Sequence, residues 1–257
     1  MGYNFWKDIK TKKGSGGSGD VTEDEKYDII EDADSTWEKM GLTKEQKAFG
    51  IATMNVESGF NPTVKNPTLG STAYGLGQLT YPTWKDAVKY YNAKFRGENE
   101  PWIDTNLSRS DTDAQIKVTG AWIEKVWERA AVLAGDPALK DYSFIETAYG
   151  VWHEGTGAKV EDYVNKYGKN VPGIKTFLDD KFSDSPLSAS FNGTYVEAHD
   201  ALDKKDILSG ASGSDASGTK RRSGQTGGYS GETLQRQGIE VWRILSDGGT
   251  RGFFISE

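Results

Sequence analysis

One carboxylate stands where a helix should end: Glu57, in the run Val56-Glu57-Ser58-Gly59-Phe60-Asn61-Pro62. Downstream lies a Gly-rich turn, Tyr74-Gly75-Leu76-Gly77-Gln78-Leu79-Thr80. Breaking a glycosidic bond requires a proton for a poor leaving group. The donor must stay protonated near neutral pH, which a partly buried, apolar pocket favours. Glu57 has Val56 before it and Phe60 after it. Ser58 offers a hydroxyl, for substrate or for fixing the adjacent loop, and Gln78 offers an amide for sugar hydroxyls. The glycines let backbone approach a sugar closely. Taken alone, a Glu at a helix end is more often a solvated surface charge.

The elements that must position these residues read as helices. Thr43-Lys44-Glu45-Gln46 is a capping box. It opens a helix with Phe49, Ala52, Thr53 and Val56 on one face, stopped by Gly59 with Pro62 beyond. Glu57 then sits on the last turn, where the negative end of the helix dipole disfavours a carboxylate's charge. A second box, Thr22 to Glu25, opens an earlier helix carrying Tyr27, Ile30, Ala33, Asp34, Trp37 and Met40 and ending at Gly41. Residues 61–77 are rich in Asn, Pro, Thr and Gly and read as loop or short-strand material. Thr80 caps a helix with Pro82 in its first turn, and 111–134 is a long amphipathic helix. Residues 141–149 read as a shorter helix, broken over 150–157 and resumed over 158–167. Helical patterns return at 172–182 and 196–208; strand-like alternation shows only around 68–80. The expected fold class is mainly α.

Composition narrows the function. Net charge is −7, which argues against a nucleic-acid binder and against simple electrostatic attraction to anionic surfaces. The chain has no cysteine, so disulfides, thiolate metal sites and cysteine nucleophiles are absent. His153 and His199 are the two histidines, far apart in sequence, and no metal or other cofactor is expected. The first residues lack the apolar core of a secretory signal, and no apolar run is long enough for a membrane span.

Mean hydropathy is −0.65, and the 31 glycines cluster in linkers around an ordinary core. Residues 1–21 read as a docking arm (Phe5, Trp6 and Ile9 on one face) followed by a Gly/Ser linker. A catalytic domain is expected over 22–183, an extension and Gly/Ser-rich linker over 184–231, and a C-terminal docking segment over 232–257.

Three stretches together carry a resemblance: Ala52 to Pro62, Gly70 to Thr80, and Ala148-Tyr149-Gly150. They resemble the soluble lytic transglycosylase family, whose motifs Glu-Ser-x-Phe-Asn-Pro and Gly-Leu-x-Gln stand here intact. The third motif, Ala-Tyr-Asn-x-Gly, is altered to Ala148-Tyr149-Gly150-Val151-Trp152-His153-Glu154-Gly155. The resemblance implies a helical, lysozyme-like fold with flexible arms at both ends. It implies cleavage of the MurNAc–GlcNAc bond of peptidoglycan with a 1,6-anhydro product, Glu57 acting first as acid and then as base. It further implies that Tyr149 orients Glu57 or touches the sugar, that Leu76 and Gln78 line the groove, and that Ser58 assists the leaving side.

A hydrolytic muramidase needs a second carboxylate. Glu154 and Asp86 are the candidates, each more readily an ordinary exposed charge. Trp152 and His153, beside Tyr149 in a broken helix, offer a sugar-stacking platform, with core plug and surface residue as the plain alternatives; the balance tips toward the groove for Trp152. The missing signal and wall-binding module fit a bacteriophage virion protein, docked by its arms on tail or baseplate proteins and opening the host wall locally. The rivals are a goose-type-like hydrolase, an endolysin, and a structural virion component with a vestigial glycan site.

Overall fold

The computed structural model describes residues 5–8, 21–106 and 108–212. The Gly-rich linkers, Ile9 and the 232–257 segment lie outside the described residues.

Among the described residues, seven α-helices build the domain: α1 Glu23–Lys39, α2 Lys44–Ser58, α3 Tyr81–Lys94, α4 Thr112–Leu133, α5 Phe144–Glu154, α6 Ile174–Phe177 and α7 Pro186–Ser212. The expected capping boxes close both first helices: Thr22 with Glu25 and Thr43 with Gln46. A third, Ser143 with Glu146, opens α5. Each satisfies two otherwise orphaned backbone donors, about 1 kcal/mol per cap.

Helix α4 is the spine, packing against α1, α2, α3 and α5. It holds α1 through Trp37, fully buried, whose indole N–H donates to the Ile116 carbonyl at 2.9 Å. The ring fits only because glycines face it from both sides. A Cβ at Gly50 of α2 or at Gly120 of α4 would overlap Trp37.

Several expectations are corrected here. Helix α5 does not break at Gly150 but runs through it to Glu154. Gly150 packs against Ile174 and Leu178, where a side chain would collide, so the residue is chosen for closeness rather than for a stop. Residues 158–167 do not resume a helix; a short hairpin pairs β1 Tyr163–Val164 with β2 Asn170–Val171. The segment 68–80 forms only isolated bridges, Lys65 with Tyr74 and Tyr74 with Leu79.

Two terminal segments add side chains to the core. Trp6 lies in a short 3-10 turn, Phe5–Asp8, against α1, and is 3% exposed within the core. Its indole is already covered by this chain. Helix α7 sends Phe191, Ala198, Ala201 and Leu202 into the same core, which therefore does not stop at residue 183.

Candidate active site

Glu57 ends α2, and the geometry after it is fixed by backbone. Gly59 caps the helix at φ 59°, its N–H donating to the Asn55 carbonyl at 3.0 Å. Phe60 follows, also left-handed at φ 63° and fully buried. A non-glycine residue held there costs roughly 1–2 kcal/mol, which the burial of the ring offsets.

The second wall is the turn around Gln78, another left-handed non-glycine residue at φ 47°. Its amide nitrogen donates to the carbonyls of Val64 at 3.1 Å and Gly75 at 2.9 Å. Gln78 therefore staples the two loops together while lining the groove.

The third element, α5, supplies Tyr149. Its hydroxyl donates to Glu57 Oε1 at 2.8 Å. The ring is 2% exposed, with Phe182 stacked at 4.9 Å and Phe191 tilted against it at 4.6 Å. Burial first, then the negative charge and hydrogen bond of Glu57, push the Tyr149 phenol well above the usual tyrosine range. It remains a hydrogen-bond donor at any physiological pH.

These elements enclose a groove of about 380 Å³. Its lining combines the hydroxyl and amide residues Asn66, Ser71, Gln78, Thr80 and Thr83 with Glu57, Trp152, His153 and Glu154. None of the lining residues is Lys or Arg. Neutral donors and acceptors with one aromatic floor and two carboxylates suit a polyhydroxylated, uncharged chain.

Glu57, Gln78, Tyr149 and Trp152 thus converge, the first two and Trp152 on the groove and Tyr149 behind the acid. Trp152 is a floor rather than an exposed platform: it is 6% exposed, edge-on to Phe49 at 6.2 Å. Two expected contacts are corrected. Ser58 is 4% exposed and returns its hydroxyl to the Met54 carbonyl at 2.9 Å. Leu76 is fully buried, and its N–H is taken by Gln115. Both belong to the support behind the groove, because helix periodicity and the tight turn point them inward.

Of the candidate second acids, Asp86 is exposed and paired with Lys125. Glu154 is different. Its side chain is 19% exposed in the groove, with Oε1 2.9 Å from His153 Nδ1. The His153 ring stacks on Phe177 at 4.0 Å and 16°. Outside the groove lining, His199, Asp200 and Asp203 of α7 bring possible ligand atoms within 4.8 Å of one another. Asp203 there is already paired with Lys44.

Sequence reasoning missed Gln115 and Arg109. Gln115, 3% exposed on α4, accepts from the Leu76 N–H at 2.7 Å and donates to the carbonyls of Pro62 at 2.8 Å and Arg109 at 3.1 Å. It ties the loop after Glu57 to the Gly75–Gln78 turn. A side chain on Gly75, at φ 74°, would overlap the Gln115 amide. Arg109 donates to the carbonyls of Thr72 and Leu79 and lies over the rings of Tyr74 and Tyr81. A buried polar residue at an amphipathic helix's inner face was the available signal.

A mainly helical fold with an acid at the end of a helix, facing a groove, is consistent with a lysozyme-like domain. Residues 29–128 match the family model described as phage tail lysozyme. The match spans Glu57, Gln78 and Gln115 and supports a lysozyme-like, phage-associated protein with a wall-degrading role. Comparisons with curated proteins and with solved structures return no match. Among the described residues, no helix is long and apolar enough to cross a membrane.

Proposed function

We propose that this protein is a peptidoglycan lytic transglycosylase acting from a phage tail or baseplate during infection. One observation carries the reading: Glu57 lines a groove rich in hydroxyl and amide residues, with no Lys or Arg, while a buried tyrosine hydroxyl holds its carboxylate at 2.8 Å. Glu57 donates its proton to the oxygen between MurNAc and GlcNAc, and the GlcNAc side leaves. The Tyr149 hydroxyl stabilises the carboxylate that results. That carboxylate then takes the proton from the C6 hydroxyl of the same MurNAc, whose oxygen closes onto C1. The products are a 1,6-anhydro sugar and a free GlcNAc hydroxyl, with Glu57 protonated again and no water consumed.

Glu154 favours a second reading, the hydrolytic muramidase, because it puts another carboxylate on the same groove. In that case it would activate a water against C1. Clearing of purified peptidoglycan by Glu57→Gln and Glu154→Gln variants separates the two. Glu57→Gln is expected to lose at least about 100-fold and Glu154→Gln to keep most activity. A fully active Glu57→Gln would overturn the assignment, and a dead, folded Glu154→Gln would hand it to the hydrolase.

A further inference from the structure

Helix α7 lies beyond the matched stretch, yet it reaches the support of the catalytic acid at two separate points. At the first, Phe191 is fully buried between two aromatic rings of the site. It lies 4.6 Å from Tyr149, which holds Glu57, and 5.7 Å edge-on from Phe49, which backs Trp152 on the groove floor. At the second, Thr194 accepts the side-chain amide of Asn55 at 2.7 Å. Asn55 is 1% exposed on the last turns of α2, two positions before Glu57. The Thr194 proton goes to the Ser190 carbonyl at 2.9 Å, which commits its oxygen to accepting. Residues three apart share a helix face, so Phe191 and Thr194 act together.

An apolar contact tolerates sliding. A buried side-chain hydrogen bond tolerates little, because leaving the amide unpaired costs roughly 1–3 kcal/mol. The Asn55–Thr194 bond therefore fixes the rotation and height of the end of α2, and Phe191 fixes the ring that grips the acid.

We propose that α7 is a working part of the active site, with Thr194 and Phe191 as positioning residues that set where the Glu57–Tyr149 pair stands in the groove. The proposal rests on Glu57 being the catalytic acid. Neither residue lines the groove, so their loss moves kcat and leaves KM. A displacement of about 1 Å in a catalytic group can cost on the order of 100-fold, and a partly accommodated one correspondingly less.

The test is steady-state cleavage of purified soluble glycan strands by wild type, Glu57→Gln, Thr194→Val, Thr194→Ser and Phe191→Leu, with melting curves in assay buffer. Thr194→Val keeps the shape and removes the acceptor. It is expected to lower kcat about tenfold with KM unchanged, while Thr194→Ser restores the wild-type rate. Should Thr194→Val fail to fold, Phe191→Leu carries the same kcat-against-KM test. Folded variants with wild-type kcat, or losses confined to KM, would overturn the proposal. An active Glu57→Gln would instead remove the catalytic reading beneath it, a distinct result.

Discussion

At the scale of single residues the acid is defined by what holds it. Tyr149 gives Glu57 a charge-assisted hydrogen bond from a position closed to water. Such bonds contribute about 1.5–3 kcal/mol, so Tyr149→Phe should lower kcat by roughly 10- to 100-fold while the groove still binds glycan. Proton linkage gives an independent check. Its phenol lies above the ordinary value of 10.0 in the folded protein, so the folded state holds this proton longer than the unfolded chain. The resulting stability is complete below pH about 10 and falls as pH rises through the folded value, by about 1.4 kcal/mol per pH unit. Urea melts at pH 9 and 11 should therefore show wild type losing more stability than Tyr149→Phe. Equal losses would contradict the assignment. The identity of the acid was legible in the chain, because Glu57, Gly59 and Pro62 are local signals. The burial of Ser58 and Leu76 was not, because a motif fixes spacing but not which way each side chain turns once the loop is packed.

At the scale of elements the site is two loops and a helix end tied together from α4. Gln115 bonds to both loops at once, and Gly75 leaves the space for its amide. Gln115→Ala leaves the Leu76 N–H and the Pro62 carbonyl without that partner, an expected loss of about 2–4 kcal/mol. Cleavage should fall with it, since the groove wall loosens; a variant with unchanged melting temperature would refute the tie. Capping made the starts of α1 and α2 legible, because the donors and acceptors are three residues apart. Gln115 acts across 53 positions to Pro62, a distance no local pattern encodes. Gly150 shows the opposite error. Read locally it breaks a helix; in the packed domain it lets α5 meet α6, and α5 continues to carry Trp152, His153 and Glu154 into the groove.

At the scale of the whole domain, the far end of α7 is anchored by charge. Asp34 of α1 is 1% exposed. It accepts from Lys205 of α7 at 2.6 Å and makes an ion-pair contact of 2.8 Å with Lys47 of α2. Removing the shared carboxylate leaves a nearly buried Lys47 ammonium uncompensated, so Asp34→Ala should cost about 3 kcal/mol or more, read as a lowered unfolding midpoint. An unchanged midpoint would show that α7 is held by apolar packing alone. The same anchoring explains why composition placed the boundary too early. Helix α7 carries many polar and small residues, and its apolar face becomes visible only against Tyr149 and Phe49. In the proposed reaction one carboxylate serves both halves and no water is consumed. Mass spectrometry of the soluble fragments released from purified peptidoglycan tests it most directly. Wild type should release muramyl ends lighter by one water, the 1,6-anhydro form, and Glu57→Gln none. Fragments ending only in reducing MurNAc would contradict it and make Glu154 the second carboxylate of a hydrolase.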